Sequence, residues 1–167
     1  MLMNTVRRSR TAHLAGVAVL ALLLAGCRGS RPAPADEGPL PVRLSIAGTS
    51  DLNSAASENG AAQSVRVRVY ELTEDASFRT VTLETFWRDE AAALAGELVG
   101  SQQVLLYPGA TETVEIQPGP STRFIGVAAN FRLPDPQHWR QVYPVESLRG
   151  RTVHVVVGAD RVAADVR

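Results

Sequence analysis

The chain has 167 residues, of which 17 are Lys or Arg and 17 are Asp or Glu, so its formal net charge is zero. Every basic residue among these is an arginine, and this balance excludes the strongly basic surface that nucleic-acid-binding proteins need. The length fits one ordinary domain preceded by a short N-terminal segment.

The N-terminus has the features of a secretory signal. An arginine-rich front at residues 7–10 precedes an apolar stretch at residues 14–24. That stretch is about half of the roughly 20 apolar residues that a membrane-spanning helix needs. We therefore predict a signal peptide over residues 1–26. A twin-arginine signal is an alternative interpretation of Arg7–Arg8.

Cys27 is the only cysteine, and it stands where the apolar stretch gives way to polar chain. An unpaired cysteine in an exported protein needs an explanation, because no second cysteine is present to form a disulfide. The sequence 24–27 (LAGC) resembles the lipobox of bacterial lipoproteins. This resemblance implies that Cys27 carries a covalent diacylglycerol, and Arg28 after it favours the periplasmic face of the outer membrane. A free thiol is the alternative.

The segment that follows is predicted to be a tether. Residues 28–41 (RGSRPAPADEGPLP) are rich in proline and offer almost no apolar surface for a core. We expect the lipidated cysteine and tether to occupy residues 27–41, and a periplasmic β-sandwich domain to occupy residues 42–167.

Alternating apolar and polar residues predict a first strand over residues 42–47 and a second over residues 65–72 (VRVRVYEL). The second strand has its valines on one side, and its arginines and Tyr70 on the other, which we interpret as a solvent-facing side. The polar segment between them, residues 48–64, is longer than most loops of compact domains. Loops of this length are often functional.

The hydrophobic period changes over residues 82–98, which are predicted to form a helix. Thr82 fits a helix cap, whereas Gly96 and Gly100 are helix breakers, so the helix is expected to end early or to split near Asp89. The apolar stripe of this helix is expected to pack on a sheet, and it comprises Leu83, Phe86, Trp87, Ala91, Leu94 and Leu98.

Six further strands are predicted after the helix. The first two of them flank Pro108-Gly109 and are expected to form a hairpin, while the nearly all-apolar third is expected to be buried on both sides. Together with the earlier elements, they predict a mainly β, two-sheet sandwich of about eight strands with one inserted helical segment. The six strands span residues 102–107, 112–117, 123–132, 139–145, 152–157 and 161–166.

Motifs of catalysis and metal binding are missing from the sequence. His138 and His154 are not part of an HxxxH or CxxC arrangement, and no GxSxG nucleophile motif or phosphate-binding glycine loop is present. We therefore predict that the protein is not an enzyme, has no small-molecule substrate, and carries no cofactor besides the covalent lipid on Cys27.

Several segments in chain order resemble the TssJ family, the outer-membrane lipoproteins of the type VI secretion system (SciN-like proteins). Each segment is short, and the ordered set over nearly the whole chain carries the resemblance. The segments are LAGC at 24–27, Leu52-Asn53, VRVYEL at 67–72, Phe86-Trp87 with DEAAALAGEL at 89–98, LYPG at 106–109, FIGVAANFR at 124–132 and Trp139-Arg140.

The resemblance implies a transthyretin-like sandwich without enzymatic activity. It also implies a partner, the periplasmic C-terminal domain of the inner-membrane protein TssM, which this chain would anchor to the outer membrane. The loop between the first two strands contributes to that contact in the family, which points to Asp51, Leu52, Asn53 and Ser54. Leu52 is either an apolar anchor between hydrogen-bonding neighbours or a side chain that pins the loop, with Asn53 in a local Asx turn.

A second functional hypothesis comes from the aromatic residues. On an immunoglobulin-like sandwich, exposed Trp139 and Tyr143 would form a stacking platform for a small ligand or a glycan. This alternative fails if both side chains are interior.

Overall fold

The structure, a computed structural model, describes residues 40–166. The predicted signal peptide, Cys27 and most of the tether lie outside the described residues. Within the described part, the strands are β1 (Val42–Gly48), β2 (Val65–Leu72), β3 (Leu98–Leu106), β4 (Thr111–Ile116), β5 (Phe124–Ala129), β6 (Arg140–Pro144), β7 (Thr152–Val157) and β8 (Val162–Val166). The helices are α1 (Ala76–Thr80), α2 (Leu83–Arg88) and α3 (Glu90–Leu94).

The strands form two four-stranded sheets, which confirms the predicted mainly β architecture. The first sheet has the order β4-β1-β7-β8, and the second has the order β3-β2-β5-β6. Strand β1 runs antiparallel to β4 and parallel to β7, so it is hydrogen-bonded on both sides. All three neighbouring pairs of the second sheet are antiparallel. The two sheets enclose one core, as in a two-layer sandwich.

Alternating apolar residues from both sheets form this core. In β1, Val42, Leu44 and Ile46 are buried, whereas Arg43 between them is exposed. The same period of two appears in β7, where His154 is exposed as its place in the sequence predicts. Burial of each large apolar side chain contributes about 1.5–3 kcal/mol relative to exposure. The hydrophobic alternation therefore determines which side of each strand turns inward.

Strand β5 is buried on both sides, as its continuous apolar sequence predicts. Every residue from Ile125 to Ala129 is buried. The outer side of β5 lies under the helical insertion, because a Cβ atom placed on Gly126 would approach Phe78 Cζ of α1 to 2.8 Å. A glycine at this position lets α1 pack directly on the second sheet.

Five aromatic side chains attach the helices to the second sheet. The ring of Phe86 lies 5.1 Å from that of Trp139 and 5.5 Å from that of Tyr70, measured between centroids. Phe78 and Trp87 complete the cluster. Such aromatic pairs each contribute about 0.5–1.5 kcal/mol beyond their area burial. The helical insertion is therefore held by an aromatic extension of the hydrophobic core.

The side of β2 that was expected to face solvent does so only at Arg66. Tyr70 is buried, and Arg68 forms an ion pair with Glu90 of α3. Burial raises the pKa of the Tyr70 hydroxyl far above its ordinary value, and the nearby Glu90 carboxylate adds to this effect. The expectation is wrong here because the helices cover this side of the strand.

The predicted helical region over residues 82–98 splits at Asp89, where a break was expected, into two short helices, and its last residue starts β3. Thr82 caps α2, as predicted, by accepting a hydrogen bond from Thr85 N at 3.3 Å. Asp89 ends α2 in a non-helical conformation, and its side chain caps α3 by accepting a hydrogen bond from Ala92 N at 3.1 Å. Ala95 then adopts a left-handed conformation, with φ of 33°, which ends α3. Helix α1 was not predicted.

The predicted hairpin at Pro108-Gly109 is wrong as well. Strand β3 belongs to the second sheet and β4 to the first, where β4 pairs with β1. Gly109 N donates hydrogen bonds to the carbonyl oxygens of Gly48 at 3.1 Å and Thr49 at 3.3 Å. The turn therefore carries the chain from one sheet to the other.

Four connections lie together at one end of the sandwich, which we call the loop end. The registers establish this, because Ala47 pairs with Thr111 and Gly48 with Val157 at the end of β1. The chain enters β1 from Pro41 at the opposite end. The connections at the loop end comprise residues 48–64, 107–110, 130–139 and 158–161.

Candidate functional site

The first loop, residues 48–64, is built on a closely packed glycine. A Cβ atom on Gly48 would lie 2.7 Å from the carbonyl oxygen of Tyr107 and 3.1 Å from Leu52 Cδ2. Gly48 N donates a hydrogen bond to Ala110 O at 2.9 Å. The absence of a side chain therefore lets the base of the first loop contact the turn between β3 and β4.

Leu52 points into the core. Its side chain is fully buried, and its carbonyl oxygen accepts a hydrogen bond from Gln63 N at 2.9 Å. This bond joins the two arms of the first loop, with the tip lying between them. Of the two roles considered for Leu52, the structure therefore favours the side chain that pins the loop.

Asn53 connects three segments of the loop end. Its Nδ2 donates to Ser64 O at 3.2 Å, its Oδ1 accepts from Arg132 N at 3.0 Å, and its backbone N donates to Gly158 O at 3.0 Å. Only 4% of the residue is exposed, and its φ of 52° lies in the left-handed region that asparagine tolerates better than most residues. These bonds reach distant parts of the chain, in contrast to the local Asx turn that was considered.

Asp51 and Ser54 reach the surface more than their two neighbours do. Asp51 is exposed and accepts a hydrogen bond from the Thr49 hydroxyl, while Ser54 is half-buried. Beyond them, Glu58 is exposed at the tip of the first loop. The four candidate residues thus divide into two that present polar groups and two that shape the loop.

The tip has its own hydrogen bonds. Ser57 Oγ donates to Asn59 Oδ1 at 2.7 Å, and Ala61 N donates to Asn59 Oδ1 at 3.2 Å. Backbone bonds from Ser57 N to Ser54 O and from Gly60 N to Ser57 O form successive turns, with Gly60 in the left-handed region. The tip is therefore organised by turns despite its small, polar composition.

A charged cluster lies beside the first loop. Asp135 Oδ2 lies 2.9 Å from His138 Nδ1 and 3.3 Å from Arg161 Nη2. A backbone hydrogen bond from Gln137 and the His138 ring hold the pKa of the Asp135 carboxyl below its ordinary value. Asp135 N also donates to Asp160 O at 2.8 Å, so the cluster joins the β5–β6 and β7–β8 connections.

A cavity of about 580 Å³ lies between α1 and β6, and Phe78, Gln137 and Arg140 are among its lining residues. The guanidinium of Arg140 donates to the carbonyl oxygens of Val81, at 2.6 Å, and of Arg79. Burial lowers the pKa of Arg140 to about 10. These bonds hold the helical insertion against β6, which gives Arg140 a structural role.

Trp139 and Tyr143 do not form the exposed platform that the ligand-binding hypothesis requires. Trp139 is 1% exposed, and Tyr143 is half-buried against the core. Across residues 40–166 there is no group of three or more His, Cys, Asp or Glu side chains placed to hold a metal ion. The helices in this part of the chain are too short to cross a membrane.

The family model described as "Type VI secretion lipoprotein, VasD, EvfM, TssJ, VC_A0113" matches residues 40–161, which is most of the chain. The chain belongs to the TssJ family of type VI secretion lipoproteins. The match confirms the family that the ordered sequence segments indicate. No curated protein matches the chain at a significant level.

Solved structures of type VI secretion proteins have a similar fold. TssJ1 from Pseudomonas aeruginosa is 29% identical, with a TM-score of 0.70, and the match covers 77% of this chain and 97% of that one. Serratia marcescens Lip, a membrane-bound component of the type VI secretion system, is 25% identical, with a TM-score of 0.67 and coverage of 76% and 96%. A chain in a structure described as a type VI membrane complex is 26% identical, with a TM-score of 0.68 and coverage of 75% and 97%.

Sequence reasoning about this TssJ chain missed residues that determine the shape of the loop end. Arg132 and Gly158 bind Asn53 through their backbones, and a backbone atom leaves no residue-type signal in a sequence. The Gln63 side chain accepts a hydrogen bond from Arg132 Nη1 at 2.8 Å. The sequence shows only that Gln63 is a polar residue shortly before an apolar strand. This does not identify Arg132, 69 residues away, as its partner.

Proposed function

We propose that this TssJ chain is an outer-membrane lipoprotein that anchors the periplasmic C-terminal domain of a TssM protein. Cys27 carries the lipid, the proline-rich segment is the tether, and the first loop contacts TssM. The role is structural and non-enzymatic. The observation that carries the proposal is the position of the first loop at the end of the sandwich opposite to Pro41, where the chain enters β1.

This arrangement suits a connection between two membranes. A tether that joins the domain at Pro41 leaves the loop end free to face away from the attached bilayer. The lipid itself holds firmly only when two or more acyl chains are present, because one chain gives marginal binding. A diacylglycerol on Cys27 meets that requirement.

The partner is supported by the solved structures. A chain in a structure described as the TssM C-terminal domain of the type VI secretion system from EAEC matches with a TM-score of 0.64 and 26% identity, covering 75% of this chain and 97% of that one. The match to a chain of a type VI membrane complex also supports assembly with other type VI secretion proteins. We extend this association to the present chain.

Lipidation is tested by expressing the full chain and its Cys27→Ser variant in a Gram-negative host fed with labelled palmitate. We expect label and outer-membrane fractionation for the unaltered chain and neither for the variant. A serine variant that still fractionates with the outer membrane would contradict the anchor.

Partner binding is tested with the full chain, purified in detergent, and the TssM periplasmic C-terminal domain. Reversing two exposed loop charges, Asp51→Arg with Glu58→Arg, is expected to weaken the complex at least ten-fold. The matched control reverses two exposed acids outside the loop end, Glu74 and Glu146. Failure of the unaltered chain to bind TssM would refute the proposed function.

A further inference from the structure

We propose that Tyr107 and Leu133, which flank the first loop, are the apolar anchors of the partner-binding surface. This inference rests on the proposed function and names the side chains that would carry most of its binding energy. Leu52 cannot fill that role because it is buried in the core. The surface therefore needs its apolar contacts from other connections of the loop end.

Tyr107 and Leu133 are the two most exposed large apolar side chains within residues 40–166. Tyr107 is 56% exposed and Leu133 is 57% exposed, and both are in connections of the loop end. Isolated surface leucines are ordinary in soluble proteins, so exposure alone does not make a site. Here, two large apolar side chains lie on different connections that contact the same loop.

Tyr107 is fixed to the base of the first loop. A Cβ atom on Gly48 would lie only 2.7 Å from the carbonyl oxygen of Tyr107. The same oxygen accepts a hydrogen bond from Ala110 N at 3.0 Å. The turn that follows donates from Gly109 N to Gly48 O. These contacts hold the backbone of Tyr107 rigidly while its ring stays exposed, which suits a binding hot spot because little conformational entropy is lost.

Leu133 is fixed to the other side of the loop. Arg132 N, one residue earlier, donates to Asn53 Oδ1 at 3.0 Å, and Arg132 Nη1 donates to Gln63 Oε1 at 2.8 Å. Leu52 packs next to Gly48, which contacts Tyr107. The adjacent residue, Asn53, binds the backbone of Arg132. The first loop therefore links the two anchors.

The charges of the surface indicate the chemistry of the partner. Asp51 and Glu58 are exposed, and neither forms an ion pair with another residue of the described range 40–166. Arg161 nearby is paired with Asp160 and Asp135. Arg132, next to Leu133, is also exposed, binds the neutral Gln63 and forms no ion pair within residues 40–166. A protein surface with apolar pockets, basic groups opposite Asp51 and Glu58, and an acidic group opposite Arg132 complements this arrangement.

The test measures the Kd of full-length variants, in detergent, for the TssM periplasmic C-terminal domain. Tyr107→Ala is expected to raise Kd about ten-fold or more, and Leu133→Ala about three-fold or more, because exposed anchors dominate binding. Val99→Ala and Leu40→Ala are the matched controls, since both side chains are exposed but outside the loop end. We expect the controls to stay within about two-fold of the unaltered chain and every variant to keep its melting temperature.

The outcomes separate the two proposals. Normal Kd values for Tyr107→Ala and Leu133→Ala, together with a weakened Asp51→Arg, Glu58→Arg variant, would overturn the anchor assignment and leave the proposed function standing. Equal losses in the anchors and the controls would also overturn it, because the effect would then be general. Absence of binding by the unaltered chain would end both proposals.

Discussion

The side-chain oxygen of Asn53 accepts a hydrogen bond from the backbone nitrogen of Arg132 across 3.0 Å, although 79 residues separate them in sequence. The same amide donates to Ser64 O. One buried side chain thus holds the first loop against the connection between β5 and β6.

Replacing this side chain should destabilise the domain. In Asn53→Ala, the half-buried Ser64 O and Arg132 N lose their partner, and alanine is forced into a left-handed conformation. We expect a loss of about 2–3 kcal/mol in the free energy of unfolding, measured by urea denaturation.

Two comparisons sharpen the Asn53 prediction. Asn53→Gly relieves the backbone strain and should recover about 1 kcal/mol of that loss. Asn59→Ala removes hydrogen bonds at the exposed tip and should cost less than about 0.5 kcal/mol. An equal effect at both asparagines would show that Asn53 has no special role.

The helical insertion should depend on Phe86. Its ring is fully buried among Tyr70, Trp87 and Trp139, so Phe86→Ala leaves a cavity beneath α2. We expect a destabilisation of about 3–5 kcal/mol, with loss of the near-ultraviolet circular dichroism of the neighbouring rings.

A surface substitution on the same helix provides the control for Phe86. The Glu84 side chain is 80% exposed and, within residues 40–166, pairs only with Arg88 of its own helix. Glu84→Ala should change stability by less than about 0.5 kcal/mol. A near-neutral Phe86→Ala would mean that the helices are not held by the aromatic cluster.

The charged cluster around Asp135 should make stability depend on pH in acid. Because its pKa is lowered in the folded protein, the contribution of Asp135 is present above the ordinary aspartate pKa of about 4 and is lost as pH falls through the lowered value. Asp135→Asn should lower the melting temperature at neutral pH. The difference from the unaltered chain should shrink as the pH drops below about 4.

We would check the Asp135 prediction by measuring melting temperatures from neutral pH to below about pH 4. Glu146→Gln is the control, because Glu146 is exposed. His138, Arg161 and Asp160 face or adjoin the cluster, and all three are unchanged in the variant. A difference in melting temperature that persists at the lowest pH would assign the effect to packing.

The strands were predictable because each one encodes its own burial. The alternation of Val42, Leu44 and Ile46 needs no knowledge of the rest of the chain, and the same holds for the valines of residues 65–72 and for residues 152–157. The sandwich and its family follow from such local patterns and their order. The predicted lipid on Cys27 and the partner contact remain predictions.

The errors arose where a distant segment decides the outcome. Pro108-Gly109 forms a turn in either topology, and only the pairing of β4 with β1 separates an inter-sheet connection from a hairpin. Alternation alone predicts that Tyr70 faces solvent. Its side chain is buried because α2 and α3 cover this side of β2. Leu52 is a single apolar residue in a polar loop, so its direction depends on the space left beside Gly48.

The position of β1 has a mechanical consequence. This strand leads directly from Pro41 to Gly48, so tension between the tether and the first loop runs along its axis. Its ladder bonds to β4 and β7 lie across that axis and are loaded in shear, so they must rupture together rather than unzip singly. Single-molecule pulling between residues 41 and 59 should therefore require a higher rupture force than pulling that peels β8 from the sheet edge.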